Sequence, residues 1–222
     1  MKKYAVIVAG GKGARMQSDL PKQFLTLSGK PVLMHTIAQF FNAISNCEII
    51  LVLPESQQGF WANLCLEFSF SIPHKVVTGG ETRFHSVKNG LNACGNEGIV
   101  GIHDGVRPLV SVAMIQRCYA SAEKHQSGLP VVPITQSLRK LDGDKNAGMS
   151  REGVVAVQTP QCFDLSLLKP AFEADYQESF TDDATVFEHA GHTIQLVAGE
   201  ETNLKITTPA DLAIAEAILA LR

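Results

Sequence analysis

Apolar residues fall along this chain in short, nearly continuous runs that alternate with stretches of helical spacing. Tyr4-Ala5-Val6-Ile7-Val8-Ala9 is the first run and predicts a short buried strand. From Pro31 to Ile44, Leu33, Ile37, Phe40, Phe41 and Ile44 recur at helical intervals behind a proline suited to a first turn. Cys47 to Leu53 is a second apolar run, closed by Pro54. Strands of this kind are buried on both faces, as in parallel sheets covered by helices. A helix over about Gln57–Glu67 and a strand at Lys75–Val77 follow. Thr78-Gly79-Gly80-Glu81-Thr82-Arg83 then turns into a helix carrying Val87, Leu91 and Cys94.

Gly98 to Asp104 is the next strand, and Ser111 is placed to cap a helix running to about Lys124. Leu129 to Ile134 is strand-like, with two prolines that favour an edge or a bulge. The repeated strand–helix order implies a right-handed, mostly parallel α/β sheet flanked by helices. Between Ser137 and Gln161 the rhythm breaks. Leu138–Leu141 and Val154–Val157 read as two strands around a turn-rich tip, Asp142 to Gly148. So long an excursion is expected to reach a partner or a substrate. Helices over about Leu165–Ala174 and Asp182–His189 and a strand at Thr193–Val197 return to the body. Asn203–Thr207 alternates as a strand would, with Leu204 and Ile206 on one face and Lys205 on the other. Thr208-Pro209-Ala210-Asp211 opens a last helix. No linker divides residues 1–222, so one domain is expected, with 137–161 as its arm.

Composition narrows the picture. A length of 222 residues supports a proper core, and no apolar run approaches the ~20 residues of a membrane span. Met1-Lys2-Lys3 precedes six apolar residues, fewer than a secretory signal core needs. A net charge of −3 argues against a general nucleic-acid binder. The five cysteines form no Cys-x-x-Cys pair, which speaks for buried thiols in a reducing compartment. His189 and His192 have no cysteine nearby and suit a helix end better than a metal site. A cytoplasmic protein is expected.

The first strand delivers Ala9-Gly10-Gly11-Lys12-Gly13-Ala14-Arg15-Met16, followed by Pro21-Lys22-Gln23. Glycines let backbone N–H groups close on an anion, and Lys12, Arg15 and Lys22 add full charges, so a polyphosphate suits this loop. It is not a Walker A loop, for no Gly-Lys-Ser/Thr occurs in it. Nor is it the dinucleotide fingerprint, since Met16 replaces the third glycine. A tight turn with solvated cations is the plainer alternative. Parallel sheets gather ligands at strand carboxyl ends, which puts this loop, the Gly79-Gly80 turn and Asp104 on one rim. Asp104 is either a Mg²⁺ ligand or a cap for the helix that follows. His103, one residue earlier, reads as a core histidine. Lys22 reads as a phosphate contact or a solvated lysine, Lys205 as a lysine in need of an anion, and Arg107 and Arg151 as surface charges unless the excursion brings them to a site.

Taken together, Ala-Gly-Gly-x-Gly-x-Arg-Met with Pro-Lys-Gln, Gly-Gly-x-x-Arg, His-Asp-x-x-Arg-Pro, Thr-Pro-Gln and Asn-x-Lys-Ile-Thr resemble the 2-C-methyl-D-erythritol 4-phosphate cytidylyltransferases from Ala9 to Asp211. The resemblance implies a Rossmann-like nucleotidyltransferase fold with a protruding β-hairpin arm, a homodimer joined by that arm, CTP as co-substrate and Mg²⁺ as cofactor. By position, Ala9, Gly10, Gly11 and Gly13 would line the CTP phosphates, with Arg15 and Lys22 at the reacting phosphorus. Gly80, Glu81, Arg83 and Ser86 match the region reading cytosine and ribose. Asp104 would hold the metal, with Gly105 near the ribose. Arg107, Ser137, Arg151, Thr159 and Lys205 match positions holding methylerythritol phosphate, some reaching in from a partner subunit. Arg15, Lys22, Arg151 and Lys205 would carry catalysis. Glu81 stands where aspartate is usual, Gly105-Val106 where two alanines are frequent, and Ser137 where threonine is common. A ribitol-5-phosphate cytidylyltransferase and a non-catalytic nucleotide-binding domain are the competing readings.

Overall fold

The computed structural model describes residues 1–11 and 20–221. In chain order come β1 (Lys3–Val8), a short 3-10 turn (Lys22–Phe24), β2 (Thr26–Leu27), β3 (Lys30–Pro31) and α1 (Val32–Ala43). Then follow β4 (Glu48–Leu53), α2 (Glu55–Glu67), β5 (Lys75–Thr78), α3 (Arg83–Asn92), β6 (Ile99–Asp104) and α4 (Val112–His125). The second half holds β7 (Ser127–Pro133), β8 (Leu138–Asp142), β9 (Lys145–Met149), β10 (Val155–Val157) and β11 (Gln161–Asp164). It closes with α5 (Leu165–Ala171), α6 (Asp183–His189), β12 (Leu196–Ala198) and α7 (Pro209–Ala220).

β1 lies at the centre of the main sheet, parallel to β4 on one side and to β6 on the other. β5 extends the sheet beyond β4, again parallel. On the far side, β11 runs antiparallel between β6 and β7, and β12 lies parallel to β7. The mostly parallel α/β sheet expected from the hydrophobic pattern is therefore present. Alternate residues of β1 serve opposite faces. Ala5 and Ile7 join a core with α1, α2 and α4, whereas Tyr4 and Val6 join one with α3, α5 and α6. A smaller apolar cluster of Leu27, Val32, Leu109, Ile206 and Ala215 lies beneath α7.

After β5 the chain crosses from one side of β1 to the other, which opens a crevice above the carboxyl ends of β4, β1 and β6. Backbone bonds continue the ladder past the strands: Ala9 N–H donates to Val52 O, Gly105 N–H to Val8 O and Gly79 N–H to Leu53 O, all within 3.0 Å. The rim of that crevice is thus as firmly tied as the sheet itself.

Several expectations are corrected. The arm's second strand is Lys145–Met149, which pairs with Leu138–Asp142 around a two-residue turn, so residues read as the tip form the strand. Val155–Val157 instead joins the main sheet against β7. β7 is no edge, for it has neighbours on both sides. The bulge is real, however. Val157 faces Val131 and Cys162 faces Gly128, so five steps on one strand match three on the other. The surplus falls opposite Pro130, which has no N–H to offer a regular ladder. β11 (Gln161–Asp164), missing from the sequence reading, continues beyond that bulge. The strand expected at Thr193–Val197 forms at Leu196–Ala198. Asn203–Thr207 is no strand, and its burial does not alternate: Asn203 and Ile206 are buried, Leu204 is partly buried and Lys205 is exposed. The stretch crosses the loop after β6, where Ile206 N–H donates to Val106 O. Phe41, placed on the apolar face of α1, is half exposed.

α3 carries the second glycine turn at its start, and Gly90 sets how closely it packs on the sheet. A Cβ there would lie 2.4 Å from Val6 Cγ1 and 3.0 Å from Val52 Cγ2. Gly90→Val is expected to lower stability by ~1–3 kcal/mol through overpacking, read as a lower urea midpoint. An unchanged midpoint would show that the helix can lift without cost.

Candidate active site

Two adjoining cavities occupy the crevice. The larger, about 500 Å³, is lined by Ala9, Gly10 and Gly11 after β1, by Lys22, by Pro54 and Glu55 after β4, and by the turn from Thr78 to Arg83. Ser86, Asp104 and Lys205 complete it. The smaller, about 330 Å³, is bounded by Arg107, Gln158, Thr159, Gln161, Thr181 and Asp182. Arg83, Asp104 and Lys205 belong to both and form the wall between them.

Local chemistry shapes each side of the larger cavity. Gln23, fully buried, donates from Nε2 to Ala9 O at 2.8 Å and to Gln57 Oε1 at 2.7 Å, pinning the start of the glycine loop to α2. At the second turn, Gly80 N–H donates to Ser86 Oγ at 3.0 Å and Thr82 caps α3 by accepting from His85 N–H. A side chain at Gly80 would strike His85, since its Cβ would lie 2.4 Å from His85 Cβ. Gly105 is closed in similarly, with its Cβ position 2.8 Å from Ala9 Cβ. The absence of a side chain there lets the β1 and β6 loops meet.

Asp104 is the centre of the wall. Its carboxylate meets Lys205 Nζ at 3.1 Å, Arg107 Nε at 3.2 Å and Arg83 Nε at 3.7 Å. Burial would raise the Asp104 pKa, but the charges of Arg83, Lys205 and Arg107 outweigh it and hold the carboxyl well below the usual carboxylate range. Arg83 also forks onto the buried carboxylate of Asp183, with Nη1 donating to Oδ1 at 2.8 Å and Nη2 to Oδ2 at 2.6 Å. Arg107 Nη1 donates to Asn203 O at 2.8 Å, and Asn203 Nδ2 to Thr159 O at 2.9 Å.

Beneath the wall runs a neutral relay. Asp104 N–H donates to Thr159 Oγ1 at 3.1 Å, Thr159 Oγ1 lies 2.9 Å from His103 Nδ1, and His103 Nε2 lies 3.2 Å from Arg107 O. The carbonyl can only accept, so Nε2 carries the proton and Thr159 O–H donates to Nδ1. Burial drives the His103 pKa down to about 4, which keeps this tautomer uncharged. The expectation of a satisfied core histidine is correct.

Of the site residues expected from sequence, Ala9, Gly10, Gly11, Lys22, Gly80, Glu81, Arg83, Ser86, Asp104 and Lys205 line the larger cavity. Arg107 and Thr159 line the smaller, and Gly105 lies just behind the wall. Gly13 and Arg15 lie outside the described residues. Ser137 and Arg151 are exposed on the arm and line neither cavity; Arg151 Nη1 donates to Thr135 O. Sequence reasoning missed Gln23, Asp183, Gln158, Gln161 and Asn203. Gln23, Gln161 and Asn203 stood inside the quoted motifs but were given no role there, Asp183 showed only near the start of a helix, and Gln158 gave no local signal. Among the described residues no three His, Cys, Asp or Glu side chains form a metal cage. Asp104 is the carboxylate in the shared wall that could hold a divalent ion.

A doubly wound sheet with glycines after β1 and a cation-lined partition between two cavities is an arrangement suited to a nucleotide-dependent transferase. The match of residues 4–221 to the family model of 2-C-methyl-D-erythritol 4-phosphate cytidylyltransferase shows that the chain belongs to that family. A relative so named from Bacteroides thetaiotaomicron is 52% identical over 219 residues, covering 99% of this chain and 100% of the relative. Another from Geobacillus kaustophilus is 38% identical, covering 98% of this chain and 97% of the relative. The solved cytidylyltransferase from Thermus thermophilus superposes with a TM-score of 0.77 at 29% identity, over 99% of this chain and 100% of that one. A 4-diphosphocytidyl-2C-methyl-D-erythritol synthase from Anaerococcus prevotii gives 0.82 at 27%, over 99% and 98%.

His103 makes the site acid-sensitive. Its folded pKa lies below the unfolded value near 6.5, so the unfolded chain binds more protons between pH 6.5 and 4 and stability falls as pH falls. Urea unfolding at pH 7 and pH 4.5 should differ by roughly 2 kcal/mol more in the wild type than in His103→Gln. Equal pH dependence in the two proteins would contradict the neutral relay.

Proposed function

We propose that this chain transfers the cytidylyl group of CTP to 2-C-methyl-D-erythritol 4-phosphate and releases diphosphate. The carrying observation is the wall of Arg83, Asp104 and Lys205 shared by two cavities. Two polyanions can approach one another there only where positive charge is already fixed. Family membership and relatives about half identical over the full length support this acceptor over ribitol 5-phosphate, and support an enzyme over a non-catalytic domain.

The triphosphate would lie against the backbone of Ala9, Gly10, Gly11 and Gly13, with Lys22 and Arg15 beside the α-phosphorus. Gly80, Glu81 and Ser86 face the base and ribose, with the Gly105 backbone near the sugar. Arg107, Thr159 and Lys205 receive the acceptor phosphate. An oxygen of that phosphate forms a bond to the α-phosphorus as the bond to the bridging oxygen breaks, and the electron pair leaves with diphosphate. The attacking group is already ionised, so the site needs no strong base. Its work is to offset repulsion and the charge gathering at phosphorus. Asp104 would hold Mg²⁺, which supplies charge neutralisation to the triphosphate when bound. Ser137 and Arg151 would complete the acceptor site of a second subunit, which makes the active form a homodimer. Five free cysteines support a reducing, cytoplasmic setting.

Incubation with CTP, Mg²⁺ and each acceptor should release diphosphate much faster with methylerythritol phosphate than with ribitol 5-phosphate. Equal or faster release with ribitol phosphate would overturn the assignment. Lys22→Met should lower kcat by ~10²–10³ with the fold intact. Full turnover in that variant would remove Lys22 from the reacting phosphorus.

Sharing of sites has its own signature. Arg151→Ala and Lys205→Ala should each be nearly inactive alone. A refolded equimolar mixture should recover about a quarter of wild-type activity, because half the dimers are mixed and each mixed dimer holds one intact site. No recovery would show that each subunit supplies its own arm residues.

A further inference from the structure

Arg83 takes its support from the start of α6 as well as from Asp104. Its guanidinium fork lies on Asp183, while its Nε edge lies 3.7 Å from Asp104. The Asp183 side chain is 1% exposed, so the carboxylate end of the pair is shielded, while Arg83, about one-third exposed, opens onto the cavities and is held in orientation by the bidentate bond. Asp183 is itself fixed. It is the first residue of α6, behind a capping box in which Asp182 accepts from Thr185 N–H. Gln161 clasps that helix start, donating from Nε2 to Asp182 Oδ2 at 2.9 Å and accepting from Ala184 N–H at 3.0 Å. Gln161 pairs with Ile102 in β6, two residues before Asp104. The start of α6 is thus locked to the strand that carries the wall, and Arg83 spans the gap between them.

The geometry points to Asp183 as a positioning residue for the transfer reaction: it orients Arg83, and through Arg83 fixes Asp104 and the separation of the two substrates. This rests on the functional reading above. Because the wall sets where the reacting groups meet rather than how tightly either cavity fills, the effect falls on kcat. A misplaced wall residue costs up to ~10²-fold in rate.

The test is a double-mutant cycle in steady-state kinetics, joined to ¹⁵N NMR of the arginine Nε groups. Asp183→Asn should lower kcat by ~10²-fold with both KM values within about threefold, and Asp183→Glu should recover part of the loss. On an Arg83→Gln background, Asp183→Asn should cost nothing further. The Arg83 Nε–H resonance should shift or broaden in Asp183→Asn as the guanidinium loses the fork that holds it; an unchanged resonance would contradict the positioning role. Wild-type kcat in Asp183→Asn, or its full loss repeated without Arg83, would overturn the inference. If Asp183→Asn fails to fold, Arg83→Lys, which keeps the charge and loses the fork, decides: unchanged kcat overturns the inference and a comparable fall supports it. A wild-type chain that releases no diphosphate refutes the functional reading instead, and the NMR comparison then decides this inference without activity.

Discussion

One buried carboxylate organises the site. Taking a carboxylate out of water costs several kcal/mol unless it is paired, and Asp104 is paired with Arg83, Arg107 and Lys205. Those three cations repel one another, so each needs the carboxylate as much as it needs them. Asp183 and Asp182 add further negative charge beside Arg83, so the cations are held in place by carboxylates and not by an overall positive excess. What the wall offers an anion is cations fixed in position, with the carboxylates keeping them from repelling one another apart. Preorganised charge of this kind needs little rearrangement during the reaction.

The fold keeps that cluster in place by distributing its members over unrelated segments. Asp104 ends a central strand, Arg83 begins α3, Arg107 follows the β6 turn and Lys205 lies on an extended stretch across it. The bulge between β10 and β11 brings Thr159 to Asp104 N–H, and Asn203 ties that bulge to the Lys205 stretch. Since His103 is neutral, this scaffold adds no charge of its own to the wall.

The alternation of apolar strands and helices was legible because each period is local: Ala5 and Ile7 do point away from Tyr4 and Val6. The rim was legible too, since glycine turns and Asp104 follow strands of one direction. What escaped is what depends on distant partners. Asn203–Thr207 alternates in sequence as a strand would but finds no strand to pair with. Val155–Val157 was assigned to the arm because nothing in its sequence says which neighbour it takes. Asp183 pairs with a residue a hundred positions away, so only the packed structure reveals it. The arm residues Ser137 and Arg151 were named by resemblance, and within one chain they line neither cavity.

The central claim is that two anionic substrates meet across the wall of Arg83, Asp104 and Lys205. A crystal structure with CTP and a non-reacting acceptor analogue tests it most directly. The account requires the triphosphate in the glycine-lined cavity and the acceptor phosphate between Arg107 and Lys205, with the α-phosphorus facing that phosphate at the wall. A triphosphate bound away from the glycine loop, or both ligands within one cavity, would contradict it.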